Sequence, residues 1–102
     1  MKIIDQGYEI ISLPEDLLQT IEAAGRTCYK SEEKITPDSA AGFVARMRDR
    51  GHHAMVEFGD IIVRFVTNRG VTHELVRHRL FSFAQESTRY VRYDGKMAFI
   101  RP

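Results

Sequence analysis

The sequence predicts an α+β fold, an antiparallel sheet flanked by helices, on three observations. β-branched apolar runs open the chain and recur near its middle. Two segments carry helical periodicity behind a proline. An Asp-Gly pair near the C-terminal end lies between apolar and aromatic runs, a strong short hairpin signal. At 102 residues the chain makes one domain at most.

The elements follow in order. Lys2 to Ile4 and Tyr8 to Leu13 flank Asp5-Gln6-Gly7 and read as a short strand pair or one broken strand. Pro14 opens a first helix, with Glu15 and Asp16 in the turn where the macrodipole favours acids. Leu17, Leu18, Ile21 and Ala24 form its apolar stripe, and Gly25 lies near its end. Lys30 to Lys34 is a polar linker. Thr36-Pro37-Asp38 starts a second helix with Ala40, Phe43, Val44 and Met47 on its buried face. Arg46, Arg48 and Arg50 read as its solvated end, and Gly51 as its stop. Ile61 to Val66 has strand propensity. Asn68-Arg69-Gly70 turns into a third helix, Val71 to about Arg79, with Val71, Leu75 and Val76 inward. Tyr90 to Tyr93 and Met97 to Ile100 would be the arms of a hairpin turning at Asp94-Gly95. Arg101 and Pro102 follow a strand with no closing element, so the chain is expected to be truncated.

Composition excludes several classes. Hydrophobic residues make up 43% and charged residues 28%, as in folded soluble domains and unlike disordered tails. The formal net charge of +1 lacks the basic excess of a general nucleic-acid binder. The C-terminal half is nonetheless prepared for anions, because from Arg64 to Arg101 seven arginines and Lys96 face only Glu74, Glu86 and Asp94. Cys28 is the single cysteine, which removes intrachain disulfides and cysteine-rich metal sites and fits a reducing compartment. It reads as a small buried hydrophobe. The four histidines lack the i,i+4 spacing of a helical zinc site, so no metal is expected. There is no membrane-length apolar run and no signal-peptide core, and the expected location is the cytoplasm.

The chemistry-bearing residues cluster in Arg77 to Tyr90, RHRLFSFAQESTRY. Arg77 and Arg79 flank His78 and point to different sides of the helix end, so they can serve two anionic groups. Alone, an Arg-His-Arg triplet is most simply a basic helix end complementing the macrodipole. The following residues shift that reading. Ser82, Gln85, Ser87, Thr88 and Arg89 supply hydroxyls, an amide and a guanidinium suited to a phosphate and a base edge. Phe81 and Phe83 read as core, and Tyr90 as strand packing. This pattern supports a nucleotide or phosphate site without naming a reaction.

Arg-His-Arg, seven residues and then Ser87, continuing to Arg89 and Tyr90, resembles the signature of the flavin-dependent thymidylate synthases, the ThyX family. Gly51-His52-His53-Ala54-Met55-Val56-Glu57 resembles a second family block, and the strings HELVRHR, QESTRY and KMAFIRP are similar to family variants. The resemblance covers essentially the whole chain and implies the N-terminal part of a ThyX-type domain. It implies that His52, Ala54, Arg77, His78, Arg79 and Gln85 contact FAD. It implies that Glu74, Arg77, Gln85, Ser87 and Arg89 bind dUMP, with Glu86 and Thr88 in the same loop. Family members methylate dUMP with methylenetetrahydrofolate, using FAD recharged by NADPH, at sites between subunits of a homotetramer. The flavin and folate carry the chemistry while the protein binds and orients, so no cysteine nucleophile is required. No side chain of this chain is assigned a catalytic role, and the chain by itself is expected to be inactive. It departs from the family pattern at Ala54, Phe58 and Glu74. A carboxylate at Glu74 tolerates a nearby phosphate if it pairs with Arg77. The alternative is a non-catalytic nucleotide- or RNA-binding module using the Arg77 to Arg92 surface.

Overall fold

The computed structural model describes residues 2–102. Strands β1 (Lys2–Ile4) and β2 (Gly7–Ser12) are followed by helices α1 (Leu17–Tyr29) and α2 (Ala40–Asp49), then by strand β3 (Ile62–Val66), helix α3 (Arg69–Leu75) and strand β4 (Ala98–Ile100). The class is α+β, as expected. The chain forms two compact units, Ile10–Val63 and a second built from the residues up to Glu9 with Arg64–Pro102.

In the Ile10–Val63 unit, α1 and α2 share a core of Ile21, Phe43, Met47 and Met55, with Leu17, Ala24 and Val44 packed against it. These are largely the stripes that the 3.6-residue period marks, although Leu18 falls outside at 40% exposure. Burying each large apolar side chain contributes about 1.5–3 kcal/mol. Gly25 lies inside α1 and not at its end. A Cβ there would sit 2.6 Å from the Met55 sulfur and from the Phe43 ring, so the bare backbone permits the close packing.

Both helices end in the same way. At α2, Gly51 takes φ +77°, and its N–H donates to Arg48 O at 2.9 Å while His52 N–H donates to Met47 O at 2.9 Å. This pair of bonds satisfies carbonyls that the helix end leaves open. At α1, Lys30 at φ 49° does the same job, with Ser31 N–H donating to Arg26 O at 3.0 Å. Lys30 takes that left-handed conformation at a cost of about 1–2 kcal/mol, and without a glycine the sequence did not mark this stop. The prolines act one step earlier than expected. Leu17 N–H bonds to Pro14 O at 3.2 Å in a turn that precedes α1, and Ser39, not Thr36, stands before α2.

In the other unit, β1 and β4 pair in parallel, Lys2 with Ala98, Ile3 with Phe99 and Ile4 with Ile100. This pairing corrects the expectation of a C-terminal hairpin. The Asp94-Gly95 turn does form, with Gly95 at φ +70° and Lys96 N–H bonded to Tyr93 O at 3.0 Å. Residues 90–93 are not a strand, however, and β4 takes β1 as its partner. A parallel pair needs a long crossover, here nearly the whole chain, which no local signal reveals. β2 pairs with β3 and not with β1, so the two N-terminal runs belong to different two-stranded sheets.

Helix α3 begins where Asn68 caps it, its side-chain oxygen accepting from Val71 N–H at 3.0 Å. It ends at Leu75, short of Arg79. Arg77 N–H then bonds to Glu74 O at 3.2 Å and His78 N–H to Leu75 O at 3.1 Å, tighter i→i+3 turns that lead out of the helix. Val71 and Val76, expected inward, are 46% and 41% exposed, and only Leu75 is half-buried.

Candidate functional site

The signature residues after α3 are placed by turns. Arg77 and Glu74 are one helical turn apart and form an exposed ion pair, Nη1 to Oε1 at 3.4 Å. The carboxylate expected to trouble a neighbouring phosphate is thus matched with a cation. Exposed pairs of this kind are worth little in stability, so the guanidinium is free to exchange partners. Among the described residues Arg79 and Arg89 make no ion pair, and both are exposed. Leu80, directly after the triplet, has φ 65° and is 91% exposed, a strained backbone position beside the predicted ligand contacts.

Ser87 organises the second part. Its carbonyl accepts from Val91 N–H at 3.0 Å and Tyr90 N–H at 3.3 Å, and its hydroxyl accepts from Arg89 N–H at 3.2 Å. The short side chain thereby replaces a backbone partner and fixes the Ser87-Thr88-Arg89 turn. Glu86 accepts from the Tyr93 hydroxyl at 2.8 Å, closing a seven-residue span across that turn. The carboxylate raises the Tyr93 phenol above its ordinary 10.0, since a bond to the neutral hydroxyl and a nearby negative charge both disfavour the phenolate. Gln85 and Thr88 are exposed on the same stretch. Phe81 and Phe83, read from the sequence as core, are 71% and 41% exposed with ring centroids 6.3 Å apart. Tyr90 is 84% exposed and is not packed in a strand.

In the Ile10–Val63 unit, the α2 stop delivers His52 beside α1. The His52 imidazole is hydrogen-bonded to the Tyr29 hydroxyl and stacks on the Tyr29 ring, with centroids 5.6 Å apart and planes 24° from parallel. Ala54 starts the short 3-10 turn Ala54–Phe58, which buries Met55 beneath α1. His52, His53, Ala54, Tyr29 and Cys28 line one cavity of about 530 Å³. Cys28 is exposed, correcting its reading as a buried hydrophobe. Position 28 lies two turns after Ile21 on the same stripe of α1, but in the last turn of the helix that stripe borders the cavity, which leaves the thiol exposed.

The sequence did not single out Glu22, Arg26 or Tyr29, and Tyr93, expected to pack in a strand, instead bonds Glu86. Charged residues and tyrosines are usually solvated, and nothing local marks these as partnered. For Glu22 and Arg26, the i,i+4 spacing inside an apolar stripe was the available signal. Among the described residues no group of three or more His, Cys, Asp or Glu side chains is arranged to hold a metal, and no helix is long and apolar enough to cross a membrane.

Fold and site together define an α+β protein whose exposed guanidiniums and ordered hydroxyl turn suit anionic ligands. The chain belongs to the family described as thymidylate synthase complementing protein, which residues 9–102 match. Three similar proteins are named flavin-dependent thymidylate synthase. That of Corynebacterium diphtheriae is 36% identical over 99 residues, 93% of this chain and 39% of the relative. That of Mycobacterium avium is 38% identical over 86 residues, 80% of this chain and 34% of the relative. That of Mycolicibacterium vanbaalenii is 44% identical over 75 residues, 70% of this chain and 30% of the relative. The chain spans about a third of the length of these relatives. No solved structure matches it.

Proposed function

We propose that this chain is the N-terminal part of a flavin-dependent thymidylate synthase and supplies binding groups for FAD and dUMP. The observation that carries the reading is the Arg77–Arg89 stretch. Arg79 and Arg89 are exposed without ion-pair partners, and Ser87 holds the intervening turn. Guanidiniums match phosphate oxygens in paired geometry, and a turn rich in N–H and hydroxyl donors completes such a site. The residues therefore fit a ligand carrying phosphates and a planar base.

In this reading Arg77, His78 and Arg79, with His52, Ala54 and Gln85, hold FAD. Glu74, Arg77 and Gln85 orient dUMP, while Ser87, Arg89 and the Glu86 and Thr88 backbone take its phosphate. Bound reduced flavin would supply the hydride that completes methyl transfer from methylenetetrahydrofolate, with NADPH as reductant. The side chains here bind and orient, and none is given a proton-transfer or nucleophilic role. Ser87 has no His-Asp pair to activate it and serves as a binding hydroxyl. A homotetramer working in the cytoplasm completes the proposal.

The test is direct titration of the chain. Saturable dUMP binding by calorimetry, and a flavin absorption spectrum that co-purifies or is acquired on adding FAD, are the expected results. A protein that binds neither would sink the reading. Salt-sensitive RNA binding in their place would establish the nucleic-acid alternative.

A further inference from the structure

We propose a second anion site, wholly within the Ile10–Val63 unit, that takes a phosphate-bearing small molecule. A cavity of about 340 Å³ opens where the C-terminal halves of α1 and α2 lie together. Arg26 and Ser31 are at most 8% exposed and line it. Lys34, Arg46 and Arg50 line it as exposed groups. No acidic residue lines it. The nearest carboxylate already has its partners, since Glu22 accepts from Arg26 at 3.1 Å and from Ser39 at 2.9 Å.

Three features point to a ligand and not to a solvated helix end. Among the described residues, Lys34, Arg46 and Arg50 form no ion pair, whereas Arg48, on the other side of α2, pairs with Asp49 at 3.2 Å. Arg46 and Arg50, the residue that caps α2, are four positions apart, so both lie on the face of the helix that carries Phe43 and Met47 into the same cavity. Ser31 makes no side-chain capping bond to the turn that follows it and lines the cavity, so its hydroxyl is available to a ligand there. Helix-end complementarity accounts for basic residues near the α1 and α2 termini, but not for their convergence with a serine on one cavity that no carboxylate lines. Arg26 is held in place from below by Glu22 and by the Phe43 ring, with Cζ 4.2 Å from the centroid. A fixed guanidinium beside mobile cations is a donor set for phosphate oxygens.

The experiment titrates the folded chain with inorganic phosphate, pyrophosphate and ADP at low ionic strength, by calorimetry. Pyrophosphate is expected to bind saturably and to weaken as salt is raised. Arg46→Ala/Arg50→Ala, both exposed, should keep the helical circular dichroism and weaken binding by about tenfold or more, as loss of charge-assisted contacts does. Ser31→Ala should weaken it by a smaller factor, and the Arg46- and Arg50-dependent component should be the one that remains when the titration is repeated with dUMP saturating the first site. Equal affinity for pyrophosphate and ADP assigns recognition to the phosphates alone; tighter ADP binding assigns it to a nucleotide; either supports the site. Absence of saturable binding overturns it. So does binding in the presence of saturating dUMP that Arg46→Ala/Arg50→Ala leaves at wild-type affinity.

Discussion

The Arg26 guanidinium donates twice to one oxygen of Glu22, Nε and Nη2 each 3.1 Å from Oε1, at a position where Glu22 is 1% exposed. Ser39 Oγ donates to the other carboxylate oxygen at 2.9 Å, and Phe43 lies under the guanidinium. The pair ties α1 to the start of α2 through polar contacts set within the apolar core. Its charges are desolvated together, so each is tolerable only while the other remains.

Glu22→Ala should therefore destabilise the chain by about 3–5 kcal/mol, by leaving Arg26 buried and unpaired. Exchanging the pair for apolar residues of similar volume, Glu22→Leu/Arg26→Met, should cost much less. Urea midpoints compare the two. A single variant no less stable than the double one would refute the coupling.

Gly25→Ala tests the close approach of α1 to its neighbours. Alanine favours helix over glycine by about 1 kcal/mol. The added methyl would meet Met55 and Phe43 at 2.6 Å, and overpacking costs about 1–3 kcal/mol. Net destabilisation is expected, read as a lower denaturant midpoint at unchanged slope. A more stable variant would show that the core yields freely.

Arg89→Ala should weaken dUMP binding by roughly 10- to 100-fold, the range for a lost hydrogen bond to a charged group. Calorimetric titration against wild type decides it, and an unchanged affinity removes Arg89 from the phosphate site.

Tyr93 gives a pH-dependent readout. Its phenol is raised above 10.0 chiefly by the hydrogen bond to Glu86. The folded state thus holds that proton more tightly than the unfolded chain. The associated stability is fully present below the ordinary tyrosine value and is lost as pH rises through the folded one. In an ultraviolet phenolate titration, with Tyr93→Phe identifying the signal, Glu86→Gln should move Tyr93 back toward its ordinary value. An unmoved titration would mean that Glu86 does not set it.

Turnover is tested separately from binding. The 102-residue chain is expected to release no tritium from labelled dUMP in the presence of flavin, folate and reductant, and measurable release would overturn that.

The sequence by itself determined the α+β class, the α1 and α2 core stripes, the Gly51 stop and the Asp94-Gly95 turn. All of these depend on residues within about one or two helical turns of each other, where periodicity and backbone preference act. The Arg-His-Arg signature was legible for the same reason, as a contiguous string. Tertiary structure alone decided the parallel partnering of Ile3 with Phe99, the burial of Glu22 with Arg26, the exposure of Cys28 and the meeting of Tyr29 with His52. Most of these depend on contacts between residues distant in sequence. The Glu22–Arg26 pair is local, but only packing determines that a short-range ion pair is buried and not solvated.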